Sequence, residues 1–174
     1  MTAITTPGIE RMDYSEIKKR LAEQFPLGPA SPHGPQHWRR VERYALHLAN
    51  HNGGNPVVAE LFAWFHDSRR VTEDRDPEHG LRGAELARQM KMQLQLDEEA
   101  FETLFQACAG HTDLTFSHDP TIAACWDADR LDLDRVGIDP DPSYFSTAEG
   151  KRLALLPTIT RRMETGIPLE PPRA

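Results

Sequence analysis

The chain has 174 residues, 39 % of them hydrophobic and 27 % charged, with a net charge of −7. That is the usual size of one domain, with enough chain to bury a single core, and no apolar run approaches the length of a membrane span. The negative balance, without any Lys/Arg-rich tract, excludes a dedicated nucleic-acid binder; a small phosphorylated substrate stays open, because a bound divalent cation supplies positive field locally.

The opening stretch, MTAITTPGIERMDYSE, has no basic start and no apolar segment, so no secretion signal is expected. Cys108 and Cys125 are the only cysteines, too few for a disulfide scaffold, and a cytoplasmic setting is expected. Helical periodicity then runs along the whole chain, with no sustained alternation of the kind a half-buried strand needs. The fold class is therefore all-α. In DYSEIKKRLAEQF, Asp13 precedes Glu16 by three residues, like a capping box, and Ile17 and Leu21 share a face. PLGPASPHGP is a loop. A second helix opens at Pro35 and lines up Trp38, Val41, Ala45 and Leu48. After HNGGNP, the next helix carries Val57, Val58, Leu61, Phe62 and Phe65, a wide core-facing stripe.

EDRDPEHG reads as a turn and helix start, followed by Leu86, Met90 and Leu94 in phase. Asp97 caps a helix bearing Phe101, Leu104, Phe105 and Cys108, and Asp119–Pro120 opens TIAACWDADRLDLDRVG. From Asp139 the chain is a proline-rich tail with one short helical stretch near TAEGKRLALL, interrupted by Pro157 and ending in a frayed PLEPPRA. No repeat or linker divides the sequence, which reads as one domain over 1–174 with a core at about 33–137 and a tail at about 139–174.

Set against these helices, certain polar residues stand in costly places. His37 lies near the apolar face of its helix. His66 and Asp67 end the most apolar helix of the chain, in ELFAWFHDSRR. In IAACWDADRLDLDRV the buried stripe is Ile122, Cys125, Trp126, Leu133 and Val136, and Asp129 points the same way. A carboxylate on an apolar face needs a partner. Asp127 and Asp134 fall off the stripe and are expected to be solvated. Taken singly, His66 reads as a hydrogen-bonded boundary histidine, and Asp129 as a carboxylate paired with Arg130 or Arg70. Together, three helices aim His37, His66–Asp67 and Asp129 at the core side, a nitrogen and oxygen set suited to zinc, manganese, iron or cobalt and less readily to magnesium or calcium.

HGPQHWRRV, FHDSRR and DADRLD, in that order and on helices, resemble the H…HD…D signature of the HD-domain superfamily of metal-dependent phosphohydrolases, over His37 to about Gly137. The resemblance implies one or two divalent ions per chain, drawn from manganese, iron, cobalt, nickel, zinc and magnesium, with His37, His66, Asp67 and Asp129 as ligands. His33 is a rival for the first position; HWRRV, with Val41 one turn after the histidine, favours His37. Some members use further histidines for a second metal and others for the substrate phosphate, and His79 and His111 stay open between these roles. His47, His51 and His118 are given none.

The expected reaction is hydrolysis of a phosphomonoester or phosphodiester in a small substrate, a nucleotide for preference. Asp67 would orient the attacking water through a free oxygen, and Arg70 or Arg69 would neutralise the phosphate. No membrane or nucleic-acid partner is expected. The alternatives are a non-catalytic metal- and nucleotide-binding module, an inert structural metal, and a two-iron redox enzyme on the same scaffold.

Overall fold

The computed structural model describes residues 12–169, and among these every regular element is a helix. α1 spans Ser15–Glu23; Asp13 accepts the Ser15 N–H at 2.9 Å and closes the turn before it, in place of a capping box with Glu16. α2 (Pro35–Asn52) starts on its proline and stops at Gly53, whose φ of 80° ends the helix in the left-handed region. α3 (Pro56–Phe65) is capped by the Asn55 side chain, which accepts from the Val57 and Val58 N–H groups. Every residue of α3 from Val58 to Phe65 is buried, so it is an enclosed axis and not an amphipathic surface helix.

α4 (His79–Gln89) and the short α5 (Lys91–Leu94) follow. α6 (Glu98–Gly110) and α7 (Pro120–Leu131) are capped by Asp97 and Asp119, as their sequences predict. α2 lies along both α3 and α7, α4 lies on α6, and α3 also meets α6. The residues 139–169 are more ordered than a tail with one helix: α8 (Ala148–Ala154) and α9 (Thr158–Glu164) flank Pro157, which stands at the N-cap of α9. Phe145, Leu153 and Ile167 join the same hydrophobic cluster as α2, α3 and α7. The expected fraying of PLEPPRA falls mostly outside the described residues.

Two expectations for the α7 region are corrected. The helix ends at Leu131 and gives way to a 3-10 turn, Leu133–Val136, so the phase of the buried stripe is lost and Val136 is 41 % exposed. Asp127, expected in solvent, is fully buried. It accepts the N–H groups of Ser146 at 2.9 Å and Thr147 at 2.8 Å, fixing the approach to α8. Asp134 is likewise largely shielded, 3.3 Å from the Arg161 guanidinium.

Candidate metal centre

One end of the bundle gathers the start of α2, the ends of α3, α6 and α7, and the start of α4. His37 is the third residue of α2, and His66 and Asp67 follow the last residue of α3. His79 is the first residue of α4, His111 follows α6, and Asp129 lies in the last turn of α7. Glycines bring α4 in close. A Cβ at Gly80 would strike the Cys108 carbonyl and the His111 ring, and one at Gly83 would strike the Phe65 carbonyl. The sequence HGLRG thus lets α4 seat its backbone against the turn that carries His66.

Four imidazoles share one arrangement. His37 Nδ1 donates to Asp132 Oδ2 at 2.8 Å, and His66 Nδ1 faces the carbonyls of Phe62 and Ala63 at 3.2 and 3.0 Å. His79 Nδ1 donates to the Asp76 carbonyl and His111 Nδ1 to that of Cys108 at 2.7 Å. An acceptor at Nδ1 places the hydrogen there and leaves the Nε2 lone pair pointing the other way. All these lone pairs converge. His37 Nε2 is 3.2 Å from His66 Nε2, and His79 Nε2 is 2.9 Å from His111 Nε2.

The carboxylates complete two groups. Asp129 Oδ1 is 3.2 Å from His37 Nε2 and 3.7 Å from His66 Nε2. Asp67 turns one oxygen to each pair: Oδ2 is 3.7 Å from both His37 and His66, and Oδ1 is 2.9 Å from His79 and 3.7 Å from His111. Burial opposes ionisation of Asp67, but the facing His66, His111, His33 and His79 overcome it and hold its carboxyl well below the usual range. Burial also opposes ionisation of Asp129, and His37 and His66 outweigh it in the same direction.

The donor set fits a cation. Lone pairs and carboxylate oxygens at these separations repel one another unless positive charge lies between them. Asp129 Oδ1 is buried and has no hydrogen-bond partner among the described residues, an acceptor left open for a cation. Ligands about 2.1 Å from one ion stand about 3.0–3.5 Å apart, and the donor separations here run from 2.9 to 3.7 Å. His37, His66 and Asp129 form one group of converging donors, and His66, Asp67 and His111 another.

Of the other expected residues, Arg70 is in place: its guanidinium lies 4.0 Å from Asp67 Oδ1 and is steadied by the carbonyls of Thr72 and Asp74 at 3.0 and 2.9 Å. Arg69 is not; it points away, 3.4 Å from Gln24, into a separate groove with Pro26 and Leu81. The free oxygen expected of Asp67 is also missing, since both oxygens face imidazoles. His33, the rival to His37, stands at the mouth, 3.5 Å from Asp67 Oδ2.

Sequence reasoning passed over Asp132 and Asp76. Asp132 is fully buried, bonded to His37 and to Arg40 at 2.7 Å. Burial raises its pKa, but His37 and Arg40 bring it below the usual range. Asp76 accepts both 2.6 and 2.7 Å bonds from Arg82 and the Val71 N–H, ordering the loop whose carbonyl holds His79. The available signal was chemical: a metal-binding histidine needs an acceptor behind it, and DADRLDLD offers one three residues beyond Asp129. His47 and His51 lie elsewhere, against Glu149 of α8.

No protein-family model matches the sequence, and no curated protein matches it. Among solved structures, the chain is similar to a predicted HD superfamily hydrolase from an uncultured Thermotogales bacterium. The two share 25 % identity at a TM-score of 0.67, over 84 % of this chain and 86 % of that one. A shared architecture of that extent, with the helices carrying H…HD…D converging as the motif requires, makes this chain a member of the HD-domain superfamily.

Proposed function

We propose that the protein is a metal-dependent phosphohydrolase that cleaves a phosphomonoester or phosphodiester of a small substrate, a nucleotide for preference. The observation that carries this reading is that four Nε2 lone pairs and two carboxylates meet in two adjoining groups, each ring backed by its own acceptor. His37, His66, Asp67 and Asp129 would hold a divalent cation, and His79 and His111, with the second oxygen of Asp67, a further one. A cation so held acidifies water and neutralises phosphoryl oxygens, which is the chemistry phosphoester hydrolysis needs.

The chain's own groups supply the rest. Arg70, 12 % exposed and next to Asp67, offers its guanidinium to the charge that builds on the phosphate. Asp132 fixes the His37 ring so that Nε2 stays aimed at the centre. Asp67 sits between both imidazole pairs and holds them in register. A redox reading rests on the same His79–His111 pair, because a two-iron centre would also need it. Metal identity and number separate the two.

The test is a panel of phosphomonoesters, phosphodiesters and nucleotides assayed with protein purified without chelator. The reading expects turnover that is lost on chelation, restored by one divalent metal, and abolished in His66→Ala and Asp129→Ala. Metal-loaded protein that hydrolyses nothing in the panel contradicts it.

A further inference from the structure

Beside the metal centre a cavity of about 460 Å³ opens between residues 30–32, the first turns of α2, and Asp134–Arg135, with His37 in its wall. Three arginines line it, Arg40, Arg135 and Arg162, together with the exposed Gln36. In a chain of net charge −7 this local excess of guanidinium runs against the general balance.

Two carboxylates, Asp132 and Asp134, are shared here by Arg40, Arg161 and Arg162, and Arg135 adds a further guanidinium. Arg135 is fixed by carbonyls, with Nε 2.9 Å from Pro32 O and an amino group 3.0 Å from Asp132 O, and has no carboxylate partner among the described residues. Arg162 is in ion-pair range of both carboxylates, 3.9 Å from Asp132 and 3.6 Å from Asp134, and its buried Nε has no hydrogen-bond partner among the described residues. Asp132 is already engaged by His37 and Arg40, and Asp134 by Arg161. Guanidinium charge in excess of the carboxylates that serve it suits a phosphoryl group. The cavity also neighbours the proposed reaction centre. His37 in its wall, backed by Asp132, and His33 lie between them; His33 Nδ1 is 3.4 Å from Arg135 and 3.5 Å from Asp67 Oδ2.

We infer that this cavity receives a second phosphoryl group of the substrate, adjacent to the one at the metal centre. The inference rests on the phosphohydrolase reading and narrows it. The favoured substrates carry two phosphoryl groups close together, as in a nucleoside diphosphate, and singly phosphorylated compounds are poor ones. Arg135 and Arg162 grip the second group, and Gln36 sits at the entrance.

The experiment titrates the metal-loaded, full-length protein with orthophosphate and with pyrophosphate by calorimetry. Orthophosphate binding reports on the metal centre, and the ratio of the two affinities reports on the cavity. Wild type should prefer pyrophosphate by about tenfold or more, and Arg162→Ala and Arg135→Ala should each cut that ratio by about tenfold while orthophosphate affinity holds. Arg135 also braces the 30–33 loop, so Gln36→Glu, an exposed change that adds one negative charge at the entrance, gives an independent check and should lower the ratio too. A wild-type ratio near one, or a ratio unchanged in Arg162→Ala and Gln36→Glu, overturns the inference. Absent orthophosphate binding would instead sink the phosphohydrolase reading, and this inference with it.

Discussion

Asp132 shows best what a single side chain does here. Its carboxylate takes the His37 Nδ1–H at 2.8 Å and the Arg40 Nε–H at 2.7 Å, so the ring can neither flip nor change tautomer. Asp132→Asn keeps the shape but offers a weaker, half-donor partner; metal affinity should fall about 10–100-fold with the fold retained, measured by competition with a fluorescent chelator. Unchanged affinity would remove Asp132 from the centre. The metal-free protein should also respond to pH in a definite direction. Burial and Arg135 lower the His37 pKa, but Asp129 and Asp132 outweigh them and lift it above the ordinary value. A raised imidazole stabilises the fold fully below about pH 6.5, and that contribution is lost as pH rises through the higher folded value. The melting temperature of chelated protein should therefore drop on going from pH 6 towards pH 8, whereas metal-loaded protein, which needs unprotonated ligands, should not follow it. At this scale His37, His66, Asp67 and Asp129 were legible because each put a polar group on or beside an apolar helical face. Arg69 and Arg70 could not be told apart, since adjacent residues on a turn diverge in direction and periodicity does not reach past the helix end.

The elements hold these groups through backbone contacts that side-chain patterns do not reveal. α4 approaches the end of α3 at Gly83, where a Cβ would strike the Phe65 carbonyl. Gly83→Ala should push α4 outward, destabilise by about 1–3 kcal/mol in denaturant unfolding, and loosen the second imidazole pair by moving His79. A variant as stable as wild type would show that the contact has slack. α8 is tied by Asp127, which accepts the Ser146 and Thr147 N–H groups and sits against Gly150. Asp127→Asn presents an N–H₂ to one of those N–H donors and should cost about 1–3 kcal/mol while leaving metal content unchanged; loss of metal would mean that α8 and the centre are coupled. Helix starts were well signalled, because Pro35, Asn55–Pro56, Asp97 and Asp119–Pro120 satisfy or remove the free N–H groups of a first turn. The end of α7 was not. Nothing local marks Leu131 as its last helical residue, so extending the 3.6-residue phase to Val136 misplaced Asp134. Asp127, inside the helix, is instead buried by the Ser146 and Thr147 N–H groups, which no helical phase foretells.

At the scale of the whole molecule, one buried spot joins helices from residue 37 to residue 129, and every imidazole in it is oriented by an acceptor of its own. Among the described residues no helix is long and apolar enough to cross a membrane, and the enclosed α3 is buried by protein on all sides. The all-helical class was legible from periodicity. The second imidazole pair was legible only as two histidines of fitting type, because their meeting depends on the glycine contacts of α4. Since the donors of the centre come from five elements, a bound ion favours the folded state: at about 100 times its dissociation constant it adds about 2.7 kcal/mol, a shift of several degrees on loading chelated protein. The most direct test of the centre is elemental analysis of protein purified without chelator, beside His66→Ala and Asp129→Ala prepared the same way. Convergence of His37, His66, Asp67 and Asp129 on a cation predicts at least one divalent metal per wild-type chain and its loss from both variants. Wild-type protein that is folded but metal-free and takes up none on reconstitution, or variants that keep a full complement, would contradict it.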